Sequence, residues 1–254
     1  MNDKITITKQ NSEIIKFLQK NENINTNILG CLRNNADADV MLFDNNLDNG
    51  IIVRAEVYYG DLFFIATDNE DFLGQFWAGL PRGHAEFSGV YQPFADLFLR
   101  DKEVLWSSPC KTFVFNGDTV PFADCPYPDE ALQQEDAEEV DEYYTYKHDH
   151  SLLQFRKDIA CQPSSCIRIN GVLASWCLVH SQDGSMGPLY TKEEFRGQGL
   201  GKITGSRLMA KVLAEGQKPF LQISQSNDAA LDLVEKMGGM AYSHDCMWFG
   251  IEKL

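Results

Sequence analysis

Apolar positions along the chain fall into two rhythms. Ser12 to Lys20 sets Ile14, Ile15, Phe17 and Leu18 on one stripe, which predicts a helix behind a Ser cap. Three apolar runs follow, Val40–Phe43, Ile51–Val57 and Leu62–Ala66, separated by the turn-rich stretches Asp44–Gly50 and Tyr59–Asp61, as in an antiparallel meander. A helix is predicted around Phe87 to Leu99, interrupted by Pro93, then strands at Val104–Trp106 and Lys111–Phe115. Gly117 to Pro128 carries Pro121, Pro126 and Pro128 and reads as a linker, so a domain boundary is expected near residue 128.

The second half is punctuated differently. A helix is predicted at Ser151–Ile159, then strands Cys166–Ile169 and Val172–His180 about an Asn170-Gly171 turn, the strongest hairpin signal in the chain. Gly187–Thr191 reads as a strand feeding a glycine-rich loop. Helix Leu200–Glu215 follows, with Leu208, Met209 and Val212 on its buried face and Gly216 at its end. Phe220–Ile223 is a strand, Ala229–Met237 a helix and Met247–Ile251 a terminal strand. No internal repeat or low-complexity tract is evident.

Composition narrows the classes. The 254 residues are 44% hydrophobic, enough for a substantial core, and the net charge of −15 with no basic patch argues against a nucleic acid or acidic membrane partner. Asp129, Glu130, Glu135, Asp136, Glu138, Glu139, Asp141 and Glu142 gather much of that excess, read first as a solvated helix face and second as a docking surface for a cationic substrate. Seven cysteines without a Cys-x-x-Cys pair suit reduced thiols in a cytoplasm. The N-terminus is too polar for a signal peptide, and nowhere do about 18 apolar residues run together, so no membrane association is expected. His148 and His150 with Cys161 and Cys166 offer no pair at a zinc spacing, and no metal is expected. His84, between Gly83 and Ala85, either faces an acceptor pocket or ends a loop.

Glycines 197, 199, 201 and 205 cluster where an amphipathic helix begins, at a cost of roughly 0.5–1 kcal/mol each in a helix interior. A helix start offers unpartnered, partly positive N–H groups, and bare glycines let an anion reach them. A nucleotide P-loop fails here, because Arg196 stands five residues before Gly201 and Ile203 follows Lys202; a dinucleotide fingerprint fails because Lys202 or Thr204 stands where its third glycine belongs. Arg196, Gly199 and Gly201 do fit Gln/Arg-x-x-Gly-x-Gly/Ala between strand and helix. In this the chain resembles the GNAT superfamily of acyl-CoA-dependent N-acyltransferases, and the run Tyr190 to Leu200 looks like its glycine N-acyltransferase-like branch. The resemblance covers about residues 132 to 254.

The resemblance implies an α/β (α+β) fold, with a mixed, mostly antiparallel sheet flanked by helices. It implies an N-terminal α/β domain, residues 1–128, shaping the acceptor site, and a catalytic domain over 129–254. Main-chain N–H groups of Gly197, Gln198, Gly199, Leu200, Gly201 and Lys202, after the motif's Arg196, would hold the coenzyme A pyrophosphate. Leu189, Tyr190 and Thr191 would meet the pantetheine arm through their backbone, and Asn227 would bind the cofactor or simply cap the next helix. The implied reaction moves an acetyl or other short acyl group from acyl-CoA to the amine of a small molecule, such as an amino acid.

That chemistry needs a free amine, oxyanion donors and a proton for the thiolate; with pKa values of about 10.4 for the ammonium and about 8.5 for the thiol, deprotonating the amine is the harder task. The family's helper residues are altered: its tyrosine acid falls at Val234, its phenylalanine after the closing glycine at Gly239, and the branch's glutamate base at Ser185. Asp183 and Ser185 are the catalytic candidates, beside His180, Tyr190, Tyr242 and a water chain. The altered positions keep a non-catalytic acyl-CoA sensor in view, and a protein N-acetyltransferase is the third reading. The acceptor and the oligomeric state are not legible.

Overall fold

The computed structural model describes residues 4–58, 60–117, 120 and 125–254. Tyr59 of an expected turn, and residues 118, 119 and 121–124 of the expected linker, lie outside them, as do residues 1–3. The first half runs β1 (Ile5–Thr8), α1 (Ser12–Gln19), α2 (Thr26–Asn34), β2 (Asp39–Phe43), β3 (Asn46–Val57), β4 (Gly60–Ala66), α3 (Glu70–Gly79), β5 (Gly83–Tyr91), α4 (Gln92–Leu99) and β6 (Val104–Phe115). The second runs α5 (Ala137–Glu142), α6 (Ser151–Cys161), β7 (Ser164–Ile169), β8 (Val172–Leu178), β9 (Tyr190–Thr191), α7 (Leu200–Ala214), β10 (Phe220–Ser224), α8 (Asp228–Met237) and β11 (Met240–Lys253).

Set one above the other, the two halves share one order: strand, two helices, three strands, helix, strand, helix, strand. In the second half an isolated antiparallel bridge from Glu130 to Cys166 stands in for the opening strand. The chain therefore carries a repeat that its sequence does not show. A repeat of architecture needs only the same alternation of buried positions, not the same residues.

Two compact units result, Met1–Thr112 with Ser243–Leu254, and Phe113–Tyr242. They divide at residue 112 rather than 128, and β6 and β11 each begin in one unit and end in the other. In the first unit the strand order is β1-β2-β3-β4-β5-β11-β6; β1–β2, β2–β3, β3–β4 and β5–β11 pair antiparallel and β4–β5 parallel. Both faces of this sheet are covered. Val40, Leu42, Ile51, Val53, Leu62 and Phe64 face α1 and α2 residues such as Ile14, Leu18 and Leu32. Their alternates, including Met41, Ile52, Phe63 and Ile65, face Phe72, Phe76 and Phe98 of α3 and α4. Strands buried on both faces read as continuous apolar runs, which is why the meander is visible in sequence.

Several expected elements are corrected. The helix expected from Phe87 to Leu99 is a strand to Tyr91 and a helix only from Gln92, with Pro93 in its first turn. β5 reads poorly because Ala85 and Phe87 face the core while the same strand pairs with β11, 152 positions after Tyr91 at Ser243 and beyond, where no local signal reaches. The strands expected at 104–106 and 111–115 are one strand, and α2 and α3 went unpredicted. Asn11, not Ser12, caps α1, its side chain accepting from the N–H groups of Glu13 and Ile14.

β11 also closes α3. Lys253 Nζ donates to the carbonyls of Trp77, Ala78 and Leu80 at 2.7, 2.8 and 2.6 Å, satisfying a helix end that has lost its intrahelical donors. Lys253→Ala should lower stability by about 1–3 kcal/mol, since hydrogen bonds to a charged group are lost; thermal melts of the two proteins check this.

Candidate functional site

In the second unit α7 is the organising element. Leu208, Met209 and Val212 are buried as expected, and Leu200 and Ile203 pack on Ile167 and Ala174 of the β7–β8 hairpin. Arg207 donates to the carbonyls of Tyr127 and Pro128, and Lys211 pairs with Asp129. The acidic run is not a free solvated face: Asp136 pairs with Arg168, Glu138 with Arg156, Glu139 with Lys192 and Asp141 with Lys147, and Asp136 and Asp141 are buried.

The four glycines divide into two uses. Gly197 and Gly199 lie at φ +78° and +75°, left-handed backbone that side chains rarely adopt, and an added Cβ at either would meet only open space. Gly201 and Gly205 make room instead: a Cβ at Gly205 would stand 2.6 Å from Met237 Cε and 2.9 Å from Leu189 Cδ1, and one at Gly201 3.2 Å from Thr191 Oγ1. Among the described residues, no acceptor takes the N–H groups of Gly197 through Lys202; Ile203 N–H is the first to donate onward, to Gly199 O at 3.2 Å. Six amides thus stand unused at the positive end of a 15-residue helix, with Gly197, Gln198 and Gly199 exposed.

Next to this loop the strands part. Met186 bridges both sides, pairing with Val179 and donating N–H to Phe220 O at 2.9 Å. Four residues on, β9 pairs, among the described residues, only with β8, through Ser175–Thr191 and Trp176–Tyr190, and β10 has no β9 neighbour. Among the described residues no strand pairs with the edge of Leu189–Thr191 that faces away from β8, though its Thr191 carbonyl is taken by a side chain. Arg196 fixes the junction: its Nε donates to Thr191 O at 3.0 Å, and its guanidinium lies over the Tyr190 ring, 5.5 Å from the centroid. Asn227 caps α8, its Oδ1 accepting from Ala230 N at 3.1 Å.

The first unit lacks both features at the matching places. Its β4 pairs with β5 at Leu62–Glu86 and Phe63–Phe87, so the gap is closed. Its strand-to-helix joint is filled by side chains, Thr67 Oγ1 accepting from Asn69 N and Asn69 Oδ1 from Phe72 N.

The altered family positions have structural explanations. Val234 is buried in the core of the second unit and supplies no hydroxyl. Gly239 is bare because the Phe115 ring lies there: an added Cβ would come 2.2 Å from Phe115 Cε2. A phenylalanine is present after all, supplied by β6. Asp183 is fully buried, its Oδ1 accepting from Ser185 Oγ at 2.7 Å and Ser185 N at 3.0 Å, and its Oδ2 has no partner among the described residues. Burial pushes its carboxyl above the usual carboxylate range, a push that the Ser185 hydrogen bonds and nearby His180 only partly oppose.

His180 lies across from Ser185, its N–H donating to Ser185 O at 2.8 Å. Its Nδ1 is 3.0 Å from Asp158 Oδ2. Asp158 and its partner Gln154 were missed from sequence, although both fall on the buried stripe of α6 with Ser151 and Phe155, a stripe that should have been apolar throughout. Tyr242 is exposed and packs against Phe113. Among the described residues, no group of three or more His, Cys, Asp or Glu could hold a metal ion, and no helix is long and apolar enough to cross a membrane. His84 Nε2 lies 2.9 Å from Glu86 Oε1 on β5.

Solved structures share this architecture: the fold is that of the GNAT acetyltransferases. A putative GNAT acetyltransferase from Novosphingobium aromaticivorans, 19% identical, covers 80% of this chain and 88% of its own at a TM-score of 0.53. A tandem GNAT protein from the clavulanic acid biosynthesis pathway, 12% identical, covers 98% of both chains at a TM-score of 0.52. More particularly, residues 167–249 match the family model of the FR47-like protein. A Drosophila protein of 16% identity superposes over 98% of this chain and 99% of its own with a TM-score of 0.78. No curated protein matches.

Proposed function

We propose that the chain is an acyl-CoA-dependent N-acyltransferase, close to the glycine N-acyltransferase-like branch, that moves an acetyl or other short acyl group to the amine of a small molecule. One observation carries it: the six unused amides of residues 197–202 lie beside the parted edge of Leu189–Thr191 in one unit. The amides suit a pyrophosphate, and the strand edge suits the amides of a pantetheine arm. Asn227 supports the same end from the start of α8, and Lys202 adds a cation there.

In the reaction, the neutral amine attacks the thioester carbonyl, a backbone N–H near Tyr190 stabilises the oxyanion, and the thiolate leaves with a proton. A second reading, an acyl-CoA sensor without turnover, is favoured by one observation, the aliphatic Val234 where the superfamily has its tyrosine acid. Thiol release separates the two. With acetyl-CoA and a panel of amino acids and small amines, the enzyme frees coenzyme A in proportion to acceptor; tight binding with no release across the panel supports the sensor, and no binding sinks both.

A further inference from the structure

We propose that His180, held by Asp158, is the base that takes the proton from the acceptor amine. The assignment rests on the acyltransferase reading and names the base that sequence leaves open among His180, Asp183, Ser185 and a water chain.

The geometry favours the imidazole. Asp158 is fully buried on α6, and its two oxygens are divided: Oδ1 accepts from Ser181 N at 2.8 Å and Gln154 Nε2 at 2.7 Å, and Oδ2 meets His180 Nδ1 at 3.0 Å. With the Nδ1 proton given to that carboxylate, Nε2 is left with its lone pair. Nε2 looks onto bare backbone at Gly187, where an added Cβ would be 3.6 Å away, three residues before Tyr190 and the parted strand edge. Asp183, by contrast, has no solvent exposure and cannot meet an incoming amine. Its Oδ1 is engaged by Ser185 instead.

The groups facing His180 come from α6 and from the turn after β8. Asp158 and Phe155 come from α6, Phe155 with its ring 6.2 Å away. Asp183 comes from the turn after β8. Tyr144, in the segment after α5, packs on the Phe155 ring, 5.0 Å between centroids; it is pushed up to about 12, by burial first and then by the charges of Tyr146, Asp158 and Asp183, and so stays a neutral phenol. Burial opposes a charge on His180, but the Asp158 hydrogen bond and the two carboxylates together outweigh it and hold the imidazole above its ordinary pKa. The neutral, working form therefore gains population as pH rises through that raised value.

The step balances. Nε2 accepts a proton from the amine, whose nitrogen pair forms the C–N bond at the acyl-CoA carbonyl; collapse breaks the C–S bond, and the imidazolium returns the proton to sulfur. Amide and free coenzyme A result, with neutral imidazole restored.

Thiol release from acetyl-CoA with the amine panel, from about pH 5.5 to about 9, tests this in wild type, His180→Gln and Asp158→Asn, with coenzyme A affinity measured for each. His180→Gln is expected to bind coenzyme A as wild type does, to lose about 100-fold or more in kcat and to lose the rising limb of the pH profile. Asp158→Asn should move that limb to lower pH, because the carboxylate that raises the imidazole is gone and burial remains. Nitrogen NMR of His180 should show the proton on Nδ1. Wild-type kcat in His180→Gln, an unmoved limb in Asp158→Asn, or the proton on Nε2 would each overturn the base while leaving the acyltransferase reading intact. Coenzyme A binding without thiol release from any amine would overturn both.

Discussion

Gly199→Val is expected to abolish coenzyme A binding while the protein stays folded. Gly199 caps α7 at φ +75° and ψ 7°, and a β-branched residue there costs about 1–2 kcal/mol of backbone strain. Nothing lies within 4 Å of an added Cβ, so the strain has no steric component from neighbours and the fold should tolerate it. What changes is the approach to six amides, which a branched side chain screens as the backbone relaxes towards ordinary φ values and turns N–H groups away. Gly216 supplies the control. It sits beyond the far end of the same helix at φ +70°, also with nothing near an added Cβ, so Gly216→Val carries comparable strain without touching the loop. Titration calorimetry with coenzyme A should find no binding in the first variant and wild-type affinity in the second. Both should melt a few degrees early, at about 2–4 °C per kcal/mol for a chain of this size. Equal affinities in the two variants would remove the loop from the cofactor site.

Phe249→Ala should cost about 3–5 kcal/mol, a large share of the roughly 5–15 kcal/mol by which domains are stable. The Phe249 ring is fully buried and stacks on Phe87 at 4.6 Å between centroids and 12° between planes, with Phe98 at 6.2 Å. Its register opposite Phe87 fastens the last strand of the chain to β5, in the centre of the first unit's aromatic core with Phe63 and Phe76. Truncation leaves a ring-sized void among stiff aromatic neighbours that cannot collapse into it. Urea denaturation followed at two wavelengths measures the loss; a change under about 1 kcal/mol would mean that β11 is not an integral strand of that sheet.

Features read correctly from sequence share one property, that local chemistry decides them. The Asn170-Gly171 turn, with Asn170 at φ +52° and Gly171 at +80°, forms as its dipeptide demands. The glycine loop is legible because left-handed positions select glycine whatever surrounds them. Gly205 looked like part of the same device and is instead a packing gap for Met237 and Leu189, a distinction only tertiary neighbours draw. Asp183 and Ser185 lie on one stretch in the sequence, but burial depends on what covers them, and sequence carries no record of that. His180 was visible as a strand end; its partner Asp158 comes from a helix 22 positions earlier, and a carboxylate on a buried helical stripe is the trace that could have paired them. Phe115 standing in for a residue at 239 lies beyond any local reading.

The exchange of terminal strands bears on how the chain is made. β5 leaves the ribosome long before its neighbour β11, with 152 positions between Tyr91 and Ser243, roughly 8 to 30 s of synthesis at about 5–20 residues per second. Throughout that wait one edge of β5 lacks its partner, beside the apolar flank that Phe249 and Ile251 later cover. Maturation thus runs backwards in part: the earliest-made sheet is finished last, and molecular chaperones that shield open edges have a defined interval in which to act.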